Sequence, residues 1–189
     1  LMKIAALQMV FTPEVALNLE AAASLIGRAA GLGAQLAALP EYFCLMGRRD
    51  DDKLAVAETP GDGPIQRFLS QQARLHALWL IGGTLPLREP GHTRVRNSCL
   101  VFAPDGTLAA RYDKRHLFAF DNGREQYDEG RVLEPGAAPS ALQAGALRVG
   151  LSVCYDLRFP EHYRAMMVPP CDVLSVPSAF TYTTGQAHW

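Results

Sequence analysis

A mixed α/β fold with helices on the faces of its sheets is what this sequence predicts, on three observations. Short apolar runs of strand length alternate with segments of helical periodicity in the first half of the chain. A Pro104-Asp105-Gly106 turn joins two further strand-like runs into a hairpin. The composition is that of an ordinary globular domain, 49% hydrophobic and 20% charged in 189 residues. This length suits a single domain over residues 1–189, large enough to bury a real core.

The elements follow in order. Met2–Val10 (MKIAALQMV) is a short apolar run that suits a buried strand, and Pro13 fits the first turn of the next helix. Leu17, Ala21, Leu25 and Ala29 recur at helical spacing, and Gly31 and Gly33 end that helix rather than open a dinucleotide loop. Ala34–Leu39 reads as a second buried strand running into Pro40-Glu41. Asp50-Asp51-Asp52 reads as the acidic start of a helix with a solvated face. Gly63-Pro64 opens a helix marked by Ile65, Leu69 and Ala73, and Leu78–Leu85 is a third strand. Ser98–Ala103 and Thr107–Tyr112 form the hairpin. Leu147–Val153 is a strand leading into Cys154, a helix starts near Pro160, and Asp172–Val176 is a further strand. Residues 184–189 read as the opening turn of a helix, so we expect the chain to be cut there.

A formal net charge of −1 argues against a nucleic-acid or membrane-surface partner, for which a basic excess is usual. No apolar run is long enough to span a bilayer, and no charged segment leads into an apolar one as in a secretory signal. The four cysteines, Cys44, Cys99, Cys154 and Cys171, are far apart and lack histidines at ligand spacing. Neither a disulfide framework nor a zinc site is therefore expected, and a cytoplasmic enzyme is. The chain has 15 Arg against only three Lys, Lys3, Lys53 and Lys114. A lysine retained against that preference invites a reason why arginine would not serve.

In α/β sheets, ligands bind beyond the carboxyl ends of strands. Three reactive side chains fall there: Glu41 after Leu39-Pro40, Lys114 after the hairpin, and Cys154 after LRVGLSV. Each has a bland reading as well, a solvated loop carboxylate, a surface charge and a packed core thiol. A strand that turns sharply into a polar segment is nevertheless the setting that presents a nucleophile. Cys44 is a weaker rival nucleophile, and either His116 or Glu41 is a candidate base for the thiol. Taken together, a proton acceptor, a cation and a nucleophile are the parts that acyl transfer needs.

Leu39-Pro-Glu41, Tyr112-Asp-Lys-Arg-His-Leu-Phe118 and Gly150-Leu-Ser-Val-Cys-Tyr-Asp-Leu-Arg-Phe-Pro-Glu161 resemble, in order, the three signature segments of the nitrilase superfamily of carbon–nitrogen hydrolases. The match extends through Glu129–Gly136 and through Asp172–Ser178 to His188-Trp189. The resemblance implies a four-layer αββα sandwich, usually a homodimer, in a family whose chains continue through further C-terminal strands and helices. It implies a Glu-Lys-Cys triad at Glu41, Lys114 and Cys154, a second glutamate at Glu129 beside the lysine, and hydrolysis through a thioester without metal or organic cofactor. The backbone N–H of Tyr155 would share the oxyanion with Lys114. Cys-Tyr-Asp-Leu-Arg-Phe-Pro resembles the branch containing omega-amidase and deaminated glutathione amidase. That branch implies a small carboxylate-bearing amide as substrate, cleaved to acid plus ammonia. Arg158 is a candidate to bind the carboxylate, with structural pairing to Asp156 or Glu161 as its alternative. Nitrile or N-carbamoyl chemistry, and a non-catalytic scaffold, are the rival readings.

Overall fold

A computed structural model describes residues 2–124 and 126–188. Its larger sheet has six strands: β1 (Ile4–Ala6), β2 (Leu36–Ala38), β3 (Trp79–Ile81), β4 (Leu85–Leu87), β5 (Arg96–Phe102) and β6 (Leu108–Asp113). Strands β1, β2 and β3 run parallel, and β5 lies antiparallel to β3, β4 and β6. A smaller sheet is built of β9 (Ser140–Ala144), β10 (Leu147–Leu151) and β11 (Val173–Ser175), with β10 central, antiparallel to β9 and parallel to β11. A short hairpin, β7 (Ala119–Asp121) and β8 (Gln126–Asp128), stands apart from both.

The layers follow from side-chain alternation along the strands. On β5, Leu100 and Phe102 join one hydrophobic cluster and Cys99 and Val101 the other; Leu80 and Ile81 of β3 divide likewise. The first cluster packs the sheet against helices α1 (Val15–Gly31) and α3 (Pro64–His76). Ala22, Ile26 and Ala29 face inward from α1, and Ile65, Leu69 and Ala73 from α3, at the expected three- and four-residue spacings. The second cluster joins Leu36, Ile81, Val101 and Tyr112 to Ala144, Val149 and Leu151 of the smaller sheet and to Val153 just beyond β10. On the outer side of β10, Gly150 faces Met166 and Cys171, in the segment that follows helix α4 (Pro160–Arg164). The order is thus helix, sheet, sheet, helix, with α2 (Asp52–Ala55) and α5 (Tyr182–His188) outside the layers.

Several expectations are corrected in detail. Pro13 precedes α1, which starts at Val15. The apolar run Leu78–Leu85 is two strands, not one: β3 and β4 run the same way along β5, and between them the chain bulges at Gly83 (φ +56°) beside the 40–41 turn, shifting the pairing by one residue. A Cβ on Gly83 would lie 2.1 Å from the Pro40 carbonyl oxygen, so only glycine permits this approach. Asp52 opens α2, yet its carboxylate accepts from the N–H groups of Arg48 (2.8 Å) and Arg49 (3.0 Å) ahead of the helix. Helix α3 begins at Pro64 as expected, and Glu58 from outside it accepts from the N–H groups of Ile65 (2.5 Å) and Gln66 (3.1 Å). Trp189 and the side chain of His188, at the end of the family-like segment, lie outside the described residues. Among the described residues, no helix is long and apolar enough to cross a membrane.

Candidate active site

Three strand ends converge. After β2, Leu39 continues the sheet by donating its N–H to the Ile81 carbonyl (2.9 Å), and the chain then turns at Glu41 and Tyr42. Tyr42 takes a left-handed φ of +55°, fixed by its N–H donating to Thr84 Oγ1 (2.8 Å), directly after the Gly83 bulge. After β6, Lys114 is held by its N–H on the Asn97 carbonyl (2.9 Å) and by its carbonyl, which accepts from Gly136 (2.9 Å). After β10, Cys154 opens a 3-10 turn over Cys154–Arg158 with φ +48°, and its N–H donates to the Pro177 carbonyl (2.9 Å). A left-handed, non-glycine residue costs about 1–3 kcal/mol. Here that strain sits on the thiol-bearing residue.

The side chains meet beneath a cavity of about 520 Å3, lined among others by Glu41, Lys114, Cys154, Glu129, Tyr155 and Arg158. The Lys114 ammonium donates to Glu41 Oε1 (3.0 Å) and lies 3.0 and 2.9 Å from the two oxygens of Glu129. Glu41 also accepts from Asn97 Nδ2 (2.9 Å, on Oε1) and the Ala179 N–H (3.0 Å, on Oε2), and it lines the cavity together with the Cys154 thiol. Glu129 is fixed in turn by the Tyr42 hydroxyl and the Phe118 N–H, both at 2.8 Å. Glu41 and Lys114 are each only 1% exposed, so nearly every polar atom of this group must be satisfied by protein.

The electrostatics follow from that burial. Desolvation raises the Glu41 pKa, with the Glu129 charge adding to the rise and Lys114 opposing it. Desolvation by itself would lower the Lys114 pKa, but Glu41, Glu129 and Cys154 together outweigh it and the net shift is upward. Lys114 is therefore a charged ammonium at neutral pH. Burial, reinforced by Glu41 and opposed by Lys114, pushes the Cys154 thiol up to about 12. It rests as a neutral thiol beside a carboxylate rather than as a preformed thiolate. The same arrangement offers a base for the thiol proton, a fixed cation and a sulfur nucleophile.

All six residues singled out in the sequence line this one cavity, while His116 and Cys44 are engaged elsewhere. His116 is not a base for Cys154: its Nδ1 lies 2.7 Å from Asp156 Oδ1 and its ring stacks on Phe159 at 3.7 Å. Cys44 is buried in the first cluster with its Sγ 3.8 Å from the Thr84 carbonyl oxygen, and it is not among the described residues that line the cavity. Of the two structural partners weighed for Arg158, Glu161 pairs with Arg164 (3.0 Å) and Asp156 is a carboxylate already saturated. Asp156 accepts from Tyr112 Oη (2.5 Å), the Val153 N–H (2.9 Å), the His116 N–H (3.0 Å) and the His116 ring.

Asp156 also ties the nucleophile's turn to the segment carrying Lys114, a role that its place two residues after Cys154 did not reveal. Asn97 and Tyr42 were missed as well, since nothing in a strand residue or a turn tyrosine marks a carboxylate's partner. His116, Asp156 and His162 place one potential metal-ligating atom each within 4.8 Å of one another. With both Asp156 oxygens engaged, and the nearer of them in hydrogen-bond contact with His116, that group is a hydrogen-bond network rather than a ligand set.

The family model described as carbon-nitrogen hydrolase matches residues 3–189. The omega-amidase NIT2 of Xenopus tropicalis is 37% identical over 99% of this chain and 67% of its own length. Among solved structures, Saccharomyces cerevisiae Nit3, a member of branch 10 of the nitrilase superfamily, superposes with a TM-score of 0.87 at 29% identity, covering 100% of this chain and 68% of that one. A mutant of the amidase from Nesterenkonia sp. AN1, showing the result of Michael addition of acrylamide at its active-site cysteine, gives 0.82 at 26% identity, over 99% of this chain and 71% of that one. The chain thus spans about two thirds of these relatives' lengths. It belongs to the carbon–nitrogen hydrolase family, within the nitrilase superfamily, as an enzyme of its amidase kind.

Proposed function

We propose that the protein hydrolyses a small carboxylate-bearing amide through a thioester on Cys154, with Glu41 as general base and acid and Lys114 as oxyanion partner. The observation that carries this reading is the Lys114 ammonium fixed between Glu41 and Glu129 on the cavity that the Cys154 thiol also lines. Glu41 takes the Sγ proton as the sulfur attacks the amide carbonyl. A thiol resting near pKa 12 makes that transfer concerted with attack, since free thiolate is scarce. The oxyanion is held by Lys114 and the Tyr155 N–H at the start of the 3-10 turn, each donor worth roughly 3–4 kcal/mol. The C–N bond breaks as Glu41 returns the proton to nitrogen. Glu41 then deprotonates a water that attacks the thioester, and the acid leaves with Cys154 restored as a thiol. Glu129 touches no substrate in this scheme; it positions Lys114.

Arg158, which lines the same cavity, binds the substrate carboxylate in this reading. α-Ketoglutaramate and deaminated glutathione are the candidate substrates. The first, a primary amide, would lose ammonia; the second, a substituted amide, would lose an amine, so the assay must follow the acid that both release. Acid release by the purified protein that is abolished in Cys154→Ala supports the reading, and release that survives in that variant overturns it. Nitrile or N-carbamoyl substrates that turn over while both amides do not would favour the rival chemistry. The family resemblance also underlies our reading of a homodimer, and the charge and cysteine pattern our reading of a cytoplasmic protein; sedimentation of the protein and fractionation of its cells test the two.

A further inference from the structure

Tyr42 follows the base Glu41 directly, and the two side chains leave one turn to meet again at Lys114. Glu41 Oε1 accepts from the ammonium itself (3.0 Å). Tyr42 acts on it through Glu129: its hydroxyl donates to Glu129 Oε1 (2.8 Å), the oxygen to which Lys114 also donates (3.0 Å). One peptide bond therefore closes a ring of contacts running Glu41, Lys114, Glu129, Tyr42. Burial, then the charges of Glu129 and Glu41, raise the Tyr42 pKa well above its usual 10.0, so at neutral pH the hydroxyl is a donor. Over the ring lies the Lys53 ammonium, 4.4 Å from the centroid, on a side chain only 13% exposed. Lys53 is carried by α2, which Arg88 pins by donating to the Leu54 carbonyl (2.8 Å). A cation over the ring draws electron density from the phenol and makes its O–H a stronger donor.

An ammonium has three N–H donors. Lys114 directs one to Glu41 and one to Glu129, which leaves one for the oxyanion of the proposed reaction. Glu129 competes for that third donor. Its two oxygens lie 3.0 and 2.9 Å from the ammonium, and it is too buried for water to satisfy them. The Tyr42 hydroxyl on Oε1 and the Phe118 N–H on Oε2 (2.8 Å) give each oxygen a second, uncharged donor and weaken its hold on Lys114. The Phe118 donor is main chain and comes with any side chain; the Tyr42 donor depends on the residue chosen. We propose that Tyr42 is a positioning residue: its hydroxyl, strengthened by Lys53 over the ring, shares the charge of Glu129 so that Lys114 keeps a donor for the oxyanion. Neither Tyr42 nor Lys53 touches substrate in this role, which rests on the amidase reading and deepens it.

Tyr42→Phe keeps the ring, the turn and the Lys53 contact and removes only the hydroxyl. The titratable groups that act on Tyr42 and Glu129 are Glu41, Lys114, Cys154 and Lys53; Asp50, Asp128 and Arg158 line the same cavity. Without the hydroxyl, Glu129 draws more of the Lys114 charge away from Glu41, so the carboxylate pair takes its first proton at higher pH. In Tyr42→Phe, kcat should fall about fivefold or more with KM little changed, and the acid limb of kcat/KM should move up by about 0.5 in pH. Lys53→Met should lower kcat about two- to threefold in the same sense, Lys53→Arg should recover most of that loss, and Lys53→Met should add nothing in the Tyr42→Phe background. A rise confined to KM, with kcat and the limb unmoved, makes Tyr42 a substrate contact and overturns the proposal. So does a Lys53→Met effect undiminished in Tyr42→Phe, which would show Lys53 acting without the hydroxyl. The pH dependence of Cys154 alkylation by iodoacetamide, read at that residue by mass spectrometry, follows the same proton without turnover. An upward shift there in Tyr42→Phe, in a protein that cleaves no amide, would sink the amidase reading and leave Tyr42 as the residue that positions Glu129 and Lys114. Amide turnover with the limb unmoved by Tyr42→Phe in both assays would do the reverse.

Discussion

Replacing Glu129 by glutamine keeps the shape of the side chain and removes one of the two carboxylates that hold Lys114. Glu129 accepts from the Tyr42 hydroxyl and the Phe118 N–H and lies 3.0 and 2.9 Å from the ammonium. The glutamine oxygen must face Phe118, whose N–H cannot turn away, so the amide nitrogen is left towards Tyr42 and Lys114. A hydrogen bond to a charged group contributes about 1.5–3 kcal/mol. If that is the precision lost in placing the oxyanion partner, kcat/KM falls by about 10- to 100-fold. The acid limb of the kcat/KM profile carries a second signature. The limb follows ionisation of the free enzyme's base, Glu41, whose pKa is raised above its usual 4.5 by burial and, in part, by the Glu129 charge. Removing that like charge lowers the Glu41 pKa and frees Lys114 to lower it further, so the limb moves to lower pH. Profiles of the two proteins on one amide check both points. A limb that stays put or moves up, or a loss within threefold, would refute the positioning role.

Other perturbations test separate links. Gly83→Ala places a Cβ 2.1 Å from the Pro40 oxygen at a φ of +56°; it should cost about 2–4 kcal/mol in urea denaturation, and a cost under about 0.5 kcal/mol would show that the bulge does not brace Glu41. Lys114→Arg puts a planar fork where a compact ammonium sits between two carboxylates, and kcat should fall at least about 100-fold; near-normal turnover removes Lys114 from the oxyanion. Asp156→Asn leaves the Val153 and His116 N–H groups competing for one oxygen, with an expected loss of about 2–4 kcal/mol in the same denaturation measurement. An unchanged urea midpoint would mean that Asp156 is not the tie between the two segments.

Legibility in the sequence followed physical range. Glu41, Lys114 and Cys154 were legible because each closes a strand-like run and lies in a segment with a familiar pattern of neighbours. Helix α3 was legible from Pro64 and the spacing of Ile65, Leu69 and Ala73. The strand break at Gly82-Gly83 was not, because its cause is the close passage of Pro40, forty-odd residues away in the chain. Strand β9 escaped because Ser-Ala-Leu-Gln-Ala carries no β-branched residue and pairs only once β10 is present. Asn97, Tyr42 and Asp156 were hidden for the same reason as the Gly83 bulge: their partners are set by tertiary approach. The surplus of arginine did mark Lys114, and it marked Lys53 equally, but only the cavity shows that the two share a site.

The central claim is a thioester on Cys154, and hydroxylamine tests it most directly. Added during amide turnover, it should divert the acyl group from water, giving acyl hydroxamate at the expense of acid while the rate of amide loss stays limited by acylation. Cys154→Ala should give neither product. Acid release undiminished by hydroxylamine, with no hydroxamate formed, would contradict the covalent route and leave direct attack by water in its place.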